Sequence, residues 1–246
     1  MRRIGARILW VVHLLLLVSA CLWIACDPWF ELMFGYFRSG IASPIDAFGE
    51  AVAQAGQIRC VIFVVCVGLI TSFVVLTLAG MLRKSSKRQR SLKAWLMLTA
   101  VVASWCGLVI NLPSIAWQGK RIQFAIQIDE FESLVQPLRT NWPSVDGELA
   151  GVGPFMAYPF GNPSTLVLLA PPDVSNGSLF VSAVERDASG TIRLELSGIH
   201  SGDFVEWHTK GSKPSSFSGG LNVHYELQSS VSLGSDWYLA RYRQNE

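Results

Sequence analysis

Residues 60–117 read CVIFVVCVGLITSFVVLTLAGMLRKSSKRQRSLKAWLMLTAVVASWCGLVINLPSIAW, two long apolar runs separated by a short segment rich in cations. That segment and its flanks carry Arg83, Lys84, Lys87, Arg88, Arg90 and Lys93 and no acidic residue. Crossing the hydrocarbon core of a bilayer takes roughly 20 apolar residues in a helix. Residues 60–82 and 94–117 meet that length, and so does a third run at 8–26, whose one ionisable residue is His13. Lipid offers no partner to backbone amides, so runs of this length are expected to be helical despite their many β-branched residues. The pattern predicts three transmembrane helices.

Orientation follows from the cations, because Lys and Arg near a span end remain cytoplasmic. Arg2, Arg3 and Arg7 precede the first run, and residues 83–93 link the second to the third; both segments are expected on the cytoplasmic side. The loop 27–59 holds Asp27, Glu31, Asp46 and Glu50 against Arg38 and Arg59, which places it outside with everything after Trp117. Trp29, Phe30, Phe34, Tyr36 and Phe37 suit an outer interfacial belt. The chain thus divides into a transmembrane region, 1–118, and an extracytoplasmic domain, 119–246.

Charge divides at the same place. Residues 1–118 contain 11 Lys+Arg and 4 Asp+Glu, a balance of +7; the remainder contains 9 and 14, a balance of −5. Each cation at the inner membrane face contributes about 1 kcal/mol toward anionic lipid. An acidic free domain without a basic stripe disfavours nucleic acid as a partner.

The first run has a second reading. Val18-Ser19-Ala20-Cys21 after three arginines has the form of a bacterial lipobox, in which Cys21 would be lipidated after cleavage. Apolar sequence continues through Leu22, Trp23, Ile24 and Ala25, longer than a signal core needs, and this favours an uncleaved anchor. Either way the C-terminal domain lies outside the cytoplasm, in a bacterial envelope. All five cysteines fall before residue 118, so that domain must stand without disulfides. Cys26 and Cys60, at the outer ends of two spans, are positioned for a bridge, although small apolar packing residues are the simpler reading.

Ser43-Pro44 followed by Ile45-Asp46 is a helix start, a side-chain cap and then proline at the first helical position. A short outer helix is expected there, nearly continuous with the second span. Pro113 is expected to bend the third. Ile122, Ala125, Ile126, Leu134 and Leu138 keep a helical period bounded by Pro137 and Trp142-Pro143. Beyond Val145, residues 165–170, 179–185, 191–197, 204–209, 222–230 and 237–243 read as six strands, with hairpin loops at 186–190 and 233–236. Short links predict an antiparallel meander with the helix packed on one face, a small α+β domain.

Candidate sites are few. Glu206 and His208, and likewise His224 and Glu226, stand two residues apart, which puts each pair on one face of a strand. If the two strands paired, two imidazoles and two carboxylates would converge as a divalent-metal ligand set. Asn222, His224, Glu226 and Gln228 also fit the plain polar side of a strand backed by Val223, Tyr225 and Leu227, and this solvated reading is preferred. His200, Ser201 and Asp203 have the residue types of a hydrolytic triad, but three neighbours in one turn rarely align. Asn176-Gly177-Ser178 is first a turn signal. His13 is expected to join helices by bonding Thr77 or Thr99. No motif implies a cofactor or a catalytic residue. The expected function is a non-catalytic binding or interaction domain held at a membrane, its partners the bilayer and an envelope protein or a second copy. The alternative is an enzyme or complex subunit with a site around Glu206, His208, His224 and Glu226.

Overall fold

The computed structural model describes residues 2–38, 44–83, 92–174, 179–197, 202–219 and 223–245. It divides into two units, Met1–Gly119 and Lys120–Glu246. The basic segment 84–91, the turn at Asn176 to Ser178, and His200 and Ser201 lie outside the described residues.

The first unit contains α1 (Arg2–Cys26), α2 (Phe30–Arg38), α3 (Pro44–Ala55), α4 (Gln57–Arg83) and most of α5 (Leu92–Ile126). Two of these, over Gln57–Ala79 and Trp95–Ile126, are long and apolar enough to cross a membrane. A third crossing depends on counting Trp10–Cys26 and Phe30–Tyr36 as one span, and these two are bent by 100°. Asp27 shapes the corner: one carboxylate oxygen accepts the Trp29 amide at 3.1 Å and the other the Trp23 indole N–H at 3.2 Å. The aromatic belt expected after the first run therefore includes a helix, α2, that hydropathy alone did not suggest. Its Phe30 and Met33 are buried with Ala20, Ile24, Cys60, Phe63 and Leu108.

The helix expected after Ser43, which lies outside the described residues, begins at Pro44 and is separated from α4 by Gly56 alone, whose φ of +86° suits a residue without a side chain. Helix α5 runs unbroken through Pro113 and continues past residue 117 to Ile126, so the helical period expected around 122–138 is shared between α5 and α6 (Ile128–Thr140). Near that proline the Asn111 side chain donates to the Gly107 carbonyl at 2.8 Å. A side chain at Gly119 would collide with the backbone of Ala25, so glycine lets these two helices touch. His13 does not bond a threonine: its Nδ1 accepts the Trp105 indole N–H at 3.4 Å, while Thr77 donates to the Phe73 carbonyl in its own helix. Cys60 is buried and Cys26 is exposed.

Among the described residues of the second unit, nine strands form one antiparallel sheet: β1 (Gly147–Leu149), β2 (Gly153–Tyr158), β3 (Thr165–Leu168), β4 (Phe180–Arg186), β5 (Ile192–Ser197), β6 (Asp203–Trp207), β7 (Phe217–Ser218), β8 (His224–Gly234) and β9 (Trp237–Asn245). The spatial order is β1-β2-β3-β4-β5-β6-β9-β8-β7. The expected meander holds through β6 and then fails, because β9 rather than β8, the counterpart of the expected strand 222–230, lies beside β6. Asp187 builds the β4–β5 turn by accepting the Ser189 and Thr191 amides. Ser235 and Asp236, with φ of 47° and 68°, make the tight β8–β9 turn.

Register sorts the side chains, since residues directly opposite across strands share a face. Leu166, Val184, Leu194, Val205 and Leu239 form one cross-strand row and are all buried. This is the face that α6 covers. Phe131 of α6 lies 6.2 Å from Trp237, and the Arg139 guanidinium stacks on Trp207 at 3.8 Å while bonding Glu132 through two 2.7 Å contacts. Adjacent in register on the opposite face is a different row: Thr165, Glu185, Arg193, Glu206 and Tyr238.

Candidate functional site

Four of the five residues in that second row are polar or charged and buried, with Glu206 and Arg193 at 0% and 3% exposure. Desolvating a charge is costly unless it is paired and hydrogen-bonded, so the partners of this row decide what it does. Arg193 lies between two carboxylates. Its Nη2 donates to Asp187 at 2.9 Å, its Nε stands 3.4 Å from Glu206 as an ion pair, and its guanidinium stacks on Phe217 at 4.1 Å. Glu206 accepts the Tyr242 hydroxyl at 2.6 Å on one oxygen and lies 2.7 Å from His208 Nε2 on the other. His208 Nδ1 is 3.0 Å from the Ser212 hydroxyl. The chain of polar contacts thus runs from Asp187 at the β4–β5 turn to Ser212.

A strand-end segment closes over this face. Phe217 stacks on Tyr225 with centroids 4.8 Å apart, and Phe204 and Tyr242 pack edge to face against it. Tyr242 also reaches the Ser215 carbonyl at 3.3 Å. These rings exclude water from the charged row, and the ionisations respond. Burial disfavours the charge on Asp187, but the Ser189 hydroxyl and Arg193 outweigh it and hold the carboxyl below its ordinary range. Burial works against Arg193 as well, and Glu206 with Asp187 raises it above its usual value. Glu195, one position along β5 from that row's neighbour, is raised by burial. Tyr225 is pushed up to about 12 by burial and by the carboxylates of Glu195 and Glu185. Tyr242 moves upward through burial and its contact with Glu206.

Beside the Asp187 end of this row lies an open cavity of about 570 Å³. Its walls are Trp142 and Phe217, its charged lining Glu185, Arg186, Asp187 and Arg193, and its remaining polar side chains Asn162, Ser164 and Ser218. Trp142 is fixed by donating its indole N–H to the Pro163 carbonyl at 2.8 Å, and the Arg186 guanidinium stands 5.7 Å from its ring. The cavity's volume is that of a small-ligand site, but its lining is more polar and charged than such sites usually have.

The structure brings together one of the two sequence-derived pairs. Glu206 and His208 share a face and touch. His224 and Glu226 are exposed on β8, and β9 lies between that strand and β6, so the four residues do not converge. Among the described residues no three His, Cys, Asp or Glu gather as a metal set. Asp203, offered as a triad acid, is instead fully buried in ion pairs with Lys120 at 2.8 Å and Arg241 at 2.6 Å.

Ser212, His208 and Glu206 do form a hydroxyl–imidazole–carboxylate chain, formally that of a nucleophile, base and orienting acid. Its surroundings argue for a structural role. His208 is 2% exposed, the Ser212 hydroxyl is also bonded to the Thr209 carbonyl at 3.0 Å, and neither residue lines the cavity. Arg193, which joins the buried row to the cavity, was missed by reasoning from sequence. Alternation of Arg193 and Glu195 with Ile192, Leu194 and Leu196 reads as a solvated strand face, and only the aromatic cover makes that face interior. No protein-family model, curated protein or solved structure matches this chain.

Proposed function

We propose that the chain is a membrane-anchored binding module, with its N-terminus and basic segment in the cytoplasm and its β-rich domain outside, in a bacterial envelope. The cavity formed by Trp142, Arg186, Arg193 and Phe217 carries this reading, because it couples an aromatic lining to a charged row that the fold keeps desolvated. Anchoring is supported by α4 and α5, which present Val61, Val65, Leu69, Leu76, Leu96 and Ile110 as exposed apolar side chains. The excess of cations before residue 118 supports the orientation. The proposed role is to hold a small ligand or an envelope partner at the membrane surface, without chemistry.

Two experiments test it. A reporter active only outside the cytoplasm should work when fused after Glu246 and fail at Ser86; activity at Ser86 reverses the orientation. Affinity purification in mild detergent should recover a bound component that is lost from both Trp142→Ala and Arg186→Ala while the fold persists. Retention of that component by both variants would remove the cavity from the function.

A further inference from the structure

The cavity bounded by Trp142 and Phe217 lies at the turn end of β2 to β5, between the turn 159–164 and the turn 187–190. Both turns are pinned. The Ser164 carbonyl accepts the Arg186 amide at 2.7 Å, and the Asp187 carboxylate accepts the Ser189 and Thr191 amides at 2.8 and 3.1 Å. Trp142 is held by the Pro163 carbonyl of the first turn. A lining fixed before its ligand arrives loses little freedom on binding.

The chemistry of that lining narrows the ligand. Glu185 and Asp187 balance Arg186 and Arg193, so the lining has no net charge. Its deeper charges are already answered within the fold: Arg193, 3% exposed, lies against Asp187 and Glu206, and the Glu185 carboxylate packs against Gly219, whose added Cβ would stand 2.6 Å from Oε1. An anion placed at Arg186 would meet Asp187 beside it, in a domain with 9 Lys+Arg against 14 Asp+Glu from Gly119 onward. An apolar ligand would strip water from Arg186, Asp187 and Asn162 and return no hydrogen bond. A ligand that donates and accepts hydrogen bonds without carrying charge avoids both penalties.

We infer that the cavity binds a neutral oligosaccharide, with one sugar ring laid on Trp142 and its hydroxyls bonded by Arg186, Asn162 and Ser164; the inference rests on the proposed binding role of this cavity. Each sugar hydroxyl is at once donor and acceptor, which matches a lining that mixes guanidinium and amide donors with carboxylate and hydroxyl acceptors. The C–H groups of a sugar ring carry slight positive charge and suit the negative face of an indole. A neutral peptide offers the same mixed bonding, but peptides add along strand edges, whereas this cavity lies among turns.

Isothermal titration of the intact chain tests the assignment, in a detergent without a sugar head group so that the micelle does not compete. The probes are neutral trisaccharides of glucose, mannose, galactose and N-acetylglucosamine, with trigalacturonate and triglucosamine as their anionic and cationic counterparts. At least one neutral probe should bind, both charged ones should bind more weakly, and Trp142→Ala should weaken the neutral complex about tenfold. Ala188→Trp, at an exposed turn position that lines the cavity, fills the space without deleting a lining group and should abolish binding. Thermal midpoints check that each variant folds, and Ala188→Trp decides the matter if Trp142→Ala misfolds. No binding of any neutral probe, tighter binding of a charged one, or binding unchanged in both variants would overturn the inference. A sugar-free component retained in detergent purification through Trp142 and Arg186 would keep the binding role of the cavity and remove the saccharide alone; failure of both experiments removes both.

Discussion

The hydroxyl of Tyr242 donates to the buried carboxylate of Glu206 across 2.6 Å, joining the last strand to the centre of the sheet. Glu206 has no access to water, so its charge is held by protein groups alone: Tyr242, His208 and Arg193. That last strand, β9, lies beside β6 and adds Tyr242 to the ring cluster of Phe204, Phe217 and Tyr225.

Removing that hydroxyl should be costly although the ring remains. Tyr242→Phe leaves one oxygen of a buried carboxylate without its donor, a loss of about 1–3 kcal/mol. Denaturant unfolding of the variant should show a lower midpoint with an unchanged slope; an unchanged midpoint would mean that water replaces the tyrosine.

Asp187 and Glu195 should give opposite pH signatures. Asp187 is depressed below its ordinary 3.8, so it stabilises the fold above that pH and the contribution disappears as pH falls through its folded value. Glu195 is raised above its ordinary 4.5, so its contribution is present below pH 4.5 and is lost as pH rises through its folded value. Asp187→Asn should therefore lower the thermal midpoint at pH 7 and converge with the wild type in acid. Glu195→Gln should raise the midpoint at pH 7, and that gain should vanish below pH 4.5.

Much of the sheet is legible in the residues. Strands β3 to β6, β8 and β9 announce themselves through alternation or short β-branched runs between Gly, Asp and Ser turns. Strand β2 does not, because Phe155 and Ala157 face inward while Met156 and Tyr158 are exposed, and an apolar residue on both sides leaves no period to read. β1 and β7 are too short for any pattern. Strand order past β6 depends on contacts between residues far apart in the chain, such as Glu206 with Tyr242, and local spacing cannot supply those.

The site was legible in part for the same reason. Spacing alone puts Glu206 and His208 on one face, and they touch. It cannot tell that face from the one holding His224 and Glu226, because both strands alternate polar with apolar residues. The difference is made by the segment carrying Phe217, which covers the first face and leaves the second exposed.

Chelation should leave the folded domain unchanged. Both ring nitrogens of His208 are engaged within the fold, by Glu206 and by Ser212, and His224 stands on a different strand pair. A metal bound to the folded state alone would stabilise it by RT ln(1 + [L]/Kd). The thermal midpoint of the purified protein should thus be the same with and without EDTA. A fall of several degrees, abolished by His208→Ala or His224→Ala, would establish a metal site that this geometry does not provide.

Gly202 should resist substitution by alanine. It enters β6 with a φ of +92°, a region in which side chains are strained, and its carbonyl accepts the Tyr242 amide at 2.8 Å. An added Cβ would also collide with the Tyr242 carbonyl oxygen. Gly202→Ala should cost more than about 1 kcal/mol and loosen the β6–β9 pair. Faster amide exchange in β9 would register that loosening, whereas Gly211→Ala, at a similar φ of +89° in open space, should pay only the backbone strain.

Asp203 provides the strongest test of the helix-covered face. It is fully buried between Lys120, itself 1% exposed, and Arg241, whose side chain is 13% exposed. Breaking a buried ion pair from one side leaves an uncompensated charge, typically a loss of about 3–5 kcal/mol. Lys120→Met keeps the length of the side chain and removes its ammonium, so the loss should be about 3 kcal/mol, because Arg241 still donates to both carboxylate oxygens, at 2.6 and 3.0 Å. Arg241→Met should cost less, since part of its head already meets water and Lys120 remains in place. Chemical denaturation of the two variants in the same detergent measures the difference; equal losses would mean that Asp203 depends on both cations alike, and no loss from Lys120→Met would show that the cost of desolvating its ammonium cancels its attraction to Asp203.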